Sequence, residues 1–504
     1  MPLISNIYLI LLLPLLVAFS CAIVKNKSIN HLLIVVVIAT ILVWLFKISP
    51  IFIQGKYVYS NIFAVDYSLL LNYNFNIVGL SFAIIILSQK LTSLLFFKEQ
   101  IGPKVTNNNA TFYSASLVNI FSILLILTSS NFVNLFLAIE IYSMSLMISK
   151  NAISNKEQKK MIISNIFIHN VSLIIFVCCL LFLYISFGSF DFNIIKQAIS
   201  GDGIAKYSVL LILVLLVISV CLRFLQFWSC FRNIKARSAI QQYISFQDLF
   251  TNTIIGIYLL IKLANIFYID SHLLQDLNLD KYLIILVLFS SIYFAVDSLR
   301  QKNLRSLSIY YCIHHVNLIL LAILINNQSS FVSLFYYLVS MSLSVFTIYL
   351  ISVIIENYIF SGIVNLRSDK KKGAIVICNV ITVALFILAI SPISILFFGN
   401  FYLIKSALLH PLYFLIIPVI LVICISFFVT TLNARADLLK KILKEKILKK
   451  ILKKSQINLS FFNYSFYLLI IGTLIGLNIL FIYYSHQISG IFLEMSKFIL
   501  VNQI

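Results

Sequence analysis

The chain has 504 residues, of which 61% are hydrophobic and 11% are charged, and its formal net charge is +21. Its mean hydropathy is +1.05. Soluble globular domains contain roughly 45–50% apolar and about 25% charged residues. A water-soluble fold of this size could not bury so much apolar surface. The composition therefore excludes a soluble enzyme and predicts a membrane protein.

Apolar segments of roughly 18–25 residues follow one another along the whole chain, which is the length of a helix that crosses a bilayer. Backbone in lipid must be hydrogen-bonded within its own segment, so helices are expected. We predict an all-α, polytopic membrane protein with about fourteen transmembrane helices. The predicted spans are 7–24, 31–53, 76–97, 112–130, 132–149, 161–187, 208–228, 250–269, 282–298, 306–326, 331–358, 375–398, 411–431 and 464–484.

Two of these predictions rest on short sequence signals. Only Ser129, Ser130 and Asn131 separate the fourth span from the fifth. The N-terminal segment has no basic region before the first span and no small-residue cleavage site. We therefore predict that this span is a retained helix and not a signal peptide.

Basic residues alternate between the predicted connections. Of the 37 Lys and Arg residues, we assign 28 to connections that follow odd-numbered spans, counting with them Lys90, which lies inside the third span, and Lys150, which directly follows the fifth. Because basic connections stay in the cytoplasm, the alternation supports the number of spans and predicts that both termini lie outside. The charge is thus explained by topology. No nucleic acid is expected as a partner, since base-stacking aromatics would have to lie among basic residues on a soluble face.

The segment Lys440–Lys454 is strongly basic, and its apolar residues recur every three to five positions. This pattern indicates an amphipathic helix on the cytoplasmic leaflet that binds anionic lipids. Docking on a partner subunit is the alternative. The eight cysteines have no ligand spacing, and no Gly-rich phosphate loop is present. We therefore predict no metal, no cofactor and no catalytic residues in this chain.

Charged residues inside the spans are functional candidates, because a charge at mid-bilayer costs about 2.5–3.5 kcal/mol on insertion scales. Glu140 has no cation within one helical turn, so it would ionise only beside a cation from another helix. Lys262 is the expected partner because the two residues are predicted to lie at comparable depth. The alternatives are a protonated Glu140 bonded to Ser143, and a snorkelling Lys262. Arg223 can also snorkel, and arginine does not readily release a proton.

Later spans contain further polar signals. Histidine in general titrates near neutrality, so the pair His314 and His315 is expected either to bridge a proton path or to make interhelical hydrogen bonds. Pro392 removes a backbone hydrogen bond shortly before Gly399 and Asn400. This predicts a broken helix that faces a wet cavity, with a simple kink as the alternative.

These segments resemble the antiporter-like membrane subunits of respiratory complex I (the subunit N-like proteins of NADH-quinone oxidoreductase) and of Mrp-type cation/proton antiporters. The sequence LFLAIEIYSMS resembles the fifth-helix segment whose essential glutamate would be Glu140. The sequence LLIKLA matches Lys262 to the eighth-helix lysine, and NLRSLSIYYCIHHVN matches His315 to the tenth-helix histidine. The sequence AISPISILFFGNFY resembles the broken twelfth helix.

The resemblance implies two inverted five-helix repeats at 112–270 and 282–431. Three helices in 1–111 would precede them, and the basic helix and last span in 432–504 would follow. It also implies partner membrane subunits and the transport of protons or Na⁺. The implied proton pathway is Glu140, Lys262, His315, Arg223 and Lys405.

The chain departs from this family pattern at two positions. The seventh helix usually has a lysine followed by Pro-Phe-His, but this chain has Arg223-Phe-Leu-Gln. Asn400 stands where the twelfth helix usually has lysine or glutamate. Lys405 lies roughly 140° round the helix from Asn400, so it does not simply replace the missing charge.

We predict a proton-translocating or cation/proton-antiporting subunit. If it is part of an enzyme, it is at most a proton-pumping subunit of NADH:quinone oxidoreductase without a redox centre. The alternatives are a non-pumping structural subunit and a fourteen-helix lipid or polysaccharide flippase. A flippase would need several cations in its spans, and only Arg223 and Lys262 qualify. The predicted location is the bacterial inner membrane. The AT-rich codon usage that the composition suggests leaves the mitochondrial inner membrane as an alternative.

The charge alternation makes a topology prediction. Single cysteines introduced into Lys156–Lys160 or Lys370–Lys372 of a cysteine-free variant should react with a membrane-impermeant thiol reagent only from the cytoplasmic side. Cysteines at Asp276 or Asn327 should react only from the outer side. Reaction of the Asp276 position from the cytoplasm would contradict the predicted orientation.

Overall fold

The computed structural model describes residues 2–24, 26–53, 58–61, 72–75, 77–101, 109–153, 156–200, 206–225, 250–267, 279–299, 304–347, 395–409, 420, 475–477, 479–480 and 483–501. Its contacts divide the chain into two compact units. Unit 1 is Met1–Leu277 with Asn502–Ile504, and unit 2 is Asn278–Val501.

Unit 1 is a helical bundle with one small hairpin. Helices α4 and α5 form an antiparallel pair. The pair packs on α1 and α3 through α4, and on α6 through α5, while α8 contacts both α6 and α9. The helices are α1 Pro2–Ile23, α2 Lys27–Ile53, α3 Ile77–Ile101, α4 Asn109–Thr128, α5 Phe132–Ile153, α6 Lys156–Phe187, α7 Phe192–Ser200, α8 Lys206–Phe224 and α9 Asn252–Phe267. Strands β1 Val58–Asn61 and β2 Asn72–Phe75 pair antiparallel, with Val58 opposite Phe75.

Unit 2 is built around one buried helix. Its described helices are α10 Leu279–Leu299, α11 Leu304–Ile325, α12 Gln328–Ser340, α13 Ile395–Leu408 and α14 Ser485–Val501. Helix α12 contacts α11, α13 and α14, and it continues into a π-helical turn, Met341–Val345. Asn327 caps α12 by accepting a hydrogen bond from the Ser330 amide, and its side-chain amide donates to the Ser406 carbonyl at 3.0 Å. The capping residue therefore ties the α11–α12 turn to α13.

Six helices in the described part of the chain are long and apolar enough to cross a membrane, judged by length and composition. They contain the segments Ser28–Lys47, Val78–Leu95, Ala110–Thr128, Phe132–Ala152, Asn165–Phe187 and Lys281–Ser298. Shorter apolar helices include Leu11–Ile23, Ser208–Phe224, Asn252–Phe267 and Ile309–Ile325. A helix therefore lies at each of the first ten predicted spans. The total of fourteen, the inverted repeats and the outward termini stay predictions.

Several predicted boundaries are wrong. The all-α expectation misses the β1–β2 hairpin, and the connection predicted after the sixth span contains the short helix α7. Helix α13 continues ten residues beyond the predicted end at 398, and α14 begins where the last span was expected to end. Lys90 and Lys150 lie inside α3 and α5 and are buried, so they are not residues of connections. Most of the spans 375–398, 411–431 and 464–484 lies outside the described residues.

The predicted turn between the fourth and fifth spans is confirmed. Helix α4 ends at Thr128 and α5 begins at Phe132. The Asn131 side chain accepts a hydrogen bond from the Asn134 amide at 2.6 Å, which caps α5. Asn131 also pairs with Asp191, and the Phe132 amide donates to the Phe190 carbonyl at 3.0 Å. This backbone pairing joins the α4–α5 turn to the segment between α6 and α7.

Gly256 allows α9 to pass close to the end of α8. A Cβ atom at this position would lie 2.8 Å from Cβ of Phe224 and 3.4 Å from Cδ2 of Leu225. Such a distance is too short for two carbon atoms, so any side chain here must displace the last turn of α8.

We expect Gly256→Ala to lower the free energy of unfolding by about 1–3 kcal/mol through overpacking. Gly490→Ala is the control, because nothing lies within 4 Å of a Cβ on that helical glycine. Alanine there should be neutral or stabilising by about 0.5–1 kcal/mol. Thermal unfolding of the purified proteins in detergent measures both effects. Equal unfolding temperatures for the two variants would contradict the close contact.

Candidate functional site

The centre of unit 1 contains an ion pair between α5 and α8. Nη1 of Arg223 lies 2.7 Å from Oε1 of Glu140. The Arg223 side chain is 4% exposed and the Glu140 side chain 19%. Nη2 of Arg223 also donates a hydrogen bond to Oγ of Ser143 at 2.7 Å. Glu140 and Ser143 are one turn apart on α5, so they present two acceptors to one guanidinium group.

The local sequence explains this arrangement. Ser143 follows Glu140 by three residues, which brings both side chains to neighbouring positions on the helix surface. Arg223 belongs to the last turn of α8, which ends at Phe224. Both Arg223 and Phe224 are buried. The close packing at Gly256 fixes this helix end against α9.

A second polar network occupies another face of α5. Lys90 of α3 donates a hydrogen bond to Asn119 of α4. The Asn119 amide donates to the Tyr142 carbonyl at 3.3 Å and to Oγ of Ser145 at 3.2 Å. The Tyr142 hydroxyl donates to the Asn252 side chain at the start of α9. Hydrogen bonds thus connect α3, α4, α5 and α9 near the middle of α5.

Lys262 does not pair with Glu140, which corrects the pairing predicted from the sequence. Nζ of Lys262 donates to the Ser129 carbonyl and to its hydroxyl at 2.9 Å. It also lies 4.9 Å from the ring centre of Phe192 and 5.5 Å from that of Tyr258. Ser129 belongs to the turn before α5, whereas Glu140 lies about two turns into that helix. The two charges are therefore at different heights along the bundle.

In unit 2, the structure brings His315 and Asn400 into one buried cluster. The His315 ring centre lies 4.5 Å from that of Tyr311 and 6.0 Å from that of Tyr337. The Tyr337 hydroxyl donates to Oδ1 of Asn400 at 2.7 Å. Tyr337 therefore contacts both predicted residues. His314 lies beside His315, with 6.0 Å between their ring centres.

The other predicted residues of unit 2 are not gathered into this cluster. Lys405 is exposed on α13. Gly399 and Asn400 lie within the regular helix α13, so the chain is not broken at these two residues. Pro392 and Lys440–Lys454 lie outside the described residues. Within the described ranges, no group of three or more His, Cys, Asp or Glu residues could hold a metal ion.

Sequence reasoning missed three buried groups of unit 1. His169 of α6 is 9% exposed, and Lys90 is 5% exposed. Both lie within predicted spans, so the rule that selected Glu140 could also have selected them. The Tyr142–Asn252 contact joins residues 110 positions apart, and no sequence spacing indicates it.

A stability measurement can separate the two possible partners of Glu140. Arg223→Gln alone leaves a carboxylate without its cation, and we expect a loss of about 1–3 kcal/mol. In a double-mutant cycle, Glu140→Gln and Arg223→Gln should show an interaction of about 1 kcal/mol or more. Glu140→Gln and Lys262→Gln should be additive within about 0.5 kcal/mol. A larger coupling to Lys262 than to Arg223 would contradict the observed pairing.

Comparisons with known proteins agree with this fold. The sequence profile of the family described as NADH:quinone oxidoreductase/Mrp antiporter, TM matches residues 129–426. NADH-quinone oxidoreductase subunit N of Campylobacter jejuni (strain RM1221) is 26% identical over 357 residues, which are 68% of this chain and 71% of that protein.

Two solved structures are similar over nearly the whole chain. One is a chain of the membrane-bound sulfane sulfur reductase, an archaeal respiratory membrane complex, with a TM-score of 0.73 and 17% identity over 97% of this chain and 96% of that one. The other is a chain of respiratory complex I from Thermus thermophilus, with a TM-score of 0.68 and 11% identity over 97% and 98%. At these identities the similarity establishes a shared fold.

The family profile begins at the α4–α5 turn and includes the Glu140–Arg223 ion pair, the Lys262 contact and the His315 cluster. It covers more than half of the chain. This multi-pass membrane protein therefore belongs to the NADH:quinone oxidoreductase/Mrp antiporter transmembrane family.

Proposed function

We propose that this chain is a proton-translocating subunit of a multi-subunit respiratory membrane complex. The observation that carries the proposal is the ion pair between Glu140 and Arg223 inside an apolar bundle. A charge pair in such surroundings costs free energy of desolvation, and well-packed apolar residues would often serve stability better. A role in transport would explain why the bundle contains this ion pair despite that cost.

The chemistry of the pair allows one charge to change. Arginine holds its proton under physiological conditions, so the Glu140 carboxylate is the member of the pair that can accept a proton. A proton that binds the Glu140 carboxylate cancels the negative charge and weakens the attraction to Arg223. Ser143 still accepts a hydrogen bond from the guanidinium, so Arg223 keeps one partner. Loss of the proton restores the carboxylate and the ion pair.

The geometry favours protons over Na⁺ as the transported ion. A hard cation requires several oxygen ligands, as metal sites for such ions illustrate. Here the two acceptors, Glu140 and Ser143, already face the Arg223 guanidinium. A sodium ion would have to displace a fixed positive charge to reach them. A proton needs only one carboxylate oxygen.

The relatives support membrane subunits as partners. The similar structures are chains of multi-subunit membrane complexes, and the Campylobacter jejuni relative is named as a subunit of NADH-quinone oxidoreductase. The energy for transport would come from the redox chemistry of other subunits or from an ion gradient. The bacterial inner membrane is the proposed location.

A second candidate is a structural subunit that no longer pumps. Asn400 is its specific support, because this amide occupies the buried position beside Tyr337 and His315 where a charge was expected. Lys405 is exposed and does not supply that charge within the cluster. This candidate predicts that the assembled complex needs the chain but not the charge of Glu140.

Glu140→Gln distinguishes the two functions. The amide keeps the shape of the side chain but cannot lose a proton, so we expect the proton translocation rate of the assembled complex in vesicles to fall by about 100-fold or more. Glu494→Gln makes the same chemical change on an exposed carboxylate of α14 and should leave the rate within about twofold. Translocation at the wild-type rate in an assembled Glu140→Gln complex would reject the pumping role and favour the structural one.

A further inference from the structure

A buried histidine of α6 lies beside the ion pair and has no role in the mechanism above. His169 is 9% exposed, and its Nδ1 atom has no hydrogen-bond partner among the described residues. A buried polar atom without a partner costs free energy in an apolar bundle. Such an atom therefore needs an explanation at this position.

A contact between α5 and α6 indicates the height of His169 within the bundle. The Phe136 ring of α5 stacks on the Phe176 ring of α6, with 5.6 Å between the ring centres. In an antiparallel pair with this register, His169 lies level with Ser143, because each residue is seven positions from its stacked phenylalanine. The α5–α6 contact therefore places His169 at the height of the residue that binds Arg223.

The α6–α8 contact gives the same height independently. Oγ of Ser172 donates a hydrogen bond to the Ser219 carbonyl of α8 at 2.9 Å. His169 precedes Ser172 by three residues, and Arg223 follows Ser219 by four. In an antiparallel pair, these opposite sequence directions are the same direction along the bundle. Residues three or four apart lie one above the other on a helix surface. His169 and Arg223 therefore occupy facing positions one turn beyond this hydrogen bond.

The charged groups around His169 come from both helices that pack against α6. The Arg223 guanidinium of α8 and the Lys150 ammonium of α5 both act electrostatically on the His169 ring. Among the described residues, Glu140 is the carboxylate that contacts Arg223 directly. A proton on His169 would change the balance of positive charge around that single carboxylate, so the protonation of the two residues must be coupled.

We infer that His169 is a second proton-binding residue of this site, which holds a proton at Nδ1 and transfers it to Glu140. The step balances without any other reactant. Uptake at the Nδ1 lone pair converts the neutral ring into imidazolium. Transfer to an Oε atom of Glu140 restores the neutral ring and forms the carboxylic acid, which weakens the contact with Arg223. This inference rests on the proposed function, because it assigns a donor to the proton that Glu140 accepts.

The test uses the assembled complex in vesicles with four variants, His169→Gln, His169→Asn, His31→Gln and Glu140→Gln. His169→Gln keeps a hydrogen-bonding side chain but cannot carry a proton at physiological pH. We expect the proton translocation rate to fall about tenfold or more, with the complex still assembled. The pH dependence of the rate should also lose one titration step. His31→Gln is the matched control, since His31 is a buried histidine of α2 in the same unit, within reach of the Leu94 carbonyl at 3.4 Å.

The outcomes separate this inference from the proposed function. A wild-type rate and pH profile in His169→Gln, together with an inactive Glu140→Gln complex, would overturn the role of His169 and leave the function intact. An active Glu140→Gln complex would overturn both. If His169→Gln and His169→Asn both fail to assemble while His31→Gln assembles, His169 is structural and the inference is wrong. Reduced translocation with an altered pH profile in His169→Gln alone would support it.

Discussion

The architecture of unit 1 depends on keeping a carboxylate and a guanidinium together in apolar surroundings. Glu140 and Arg223 come from helices that are distant in sequence, and neither charge is tolerated alone at this position. The constraint reaches the surrounding helices. The last turn of α8 must bury Arg223, Gly256 must leave room for that turn, and Ser143 must offer a second acceptor. The ion pair thus specifies how α5, α8 and α9 pack.

The buried polar groups of the two units have different chemistry. In unit 1, Lys90, Arg223 and Lys262 each have an oxygen acceptor on another helix or turn, so three positive charges are held at separate points of the bundle. In the described part of unit 2, the buried cluster at His315 and Asn400 consists of aromatic rings, hydroxyls, imidazoles and an amide. Groups of this kind donate and accept hydrogen bonds without a permanent charge. Of these two sets of described residues, the set in unit 1 therefore contains a group, Arg223, that keeps its positive charge.

Hydropathy predicts most of the fold because lipid leaves helices as the solution for long apolar segments. The same rule selects Glu140, since a carboxylate in a long apolar segment costs free energy and is therefore a candidate for a function. It does not select the partner of Glu140. Position within a span does not tell which face of a helix meets which neighbour. The sequence therefore favours Lys262 over Arg223 as the partner, although Lys262 binds Ser129 in a turn. Short polar elements such as the β1–β2 hairpin and α7 lack the long apolar signal, and so the sequence does not reveal them.

The identity of the cation then limits how the ion pair can open. A lysine partner could lose its own proton, so a lysine–glutamate pair can be neutralised from either side. Arg223 keeps its charge, and only a proton on Glu140 can weaken the pair. Lys262 is held by two oxygen contacts and two aromatic rings at another height, so it does not share this task. The Glu140–Arg223 ion pair itself therefore responds to protons through the carboxylate alone. The groups that lie near Glu140 and can exchange a proton with its carboxylate therefore matter more in this pair than they would in a lysine–glutamate pair.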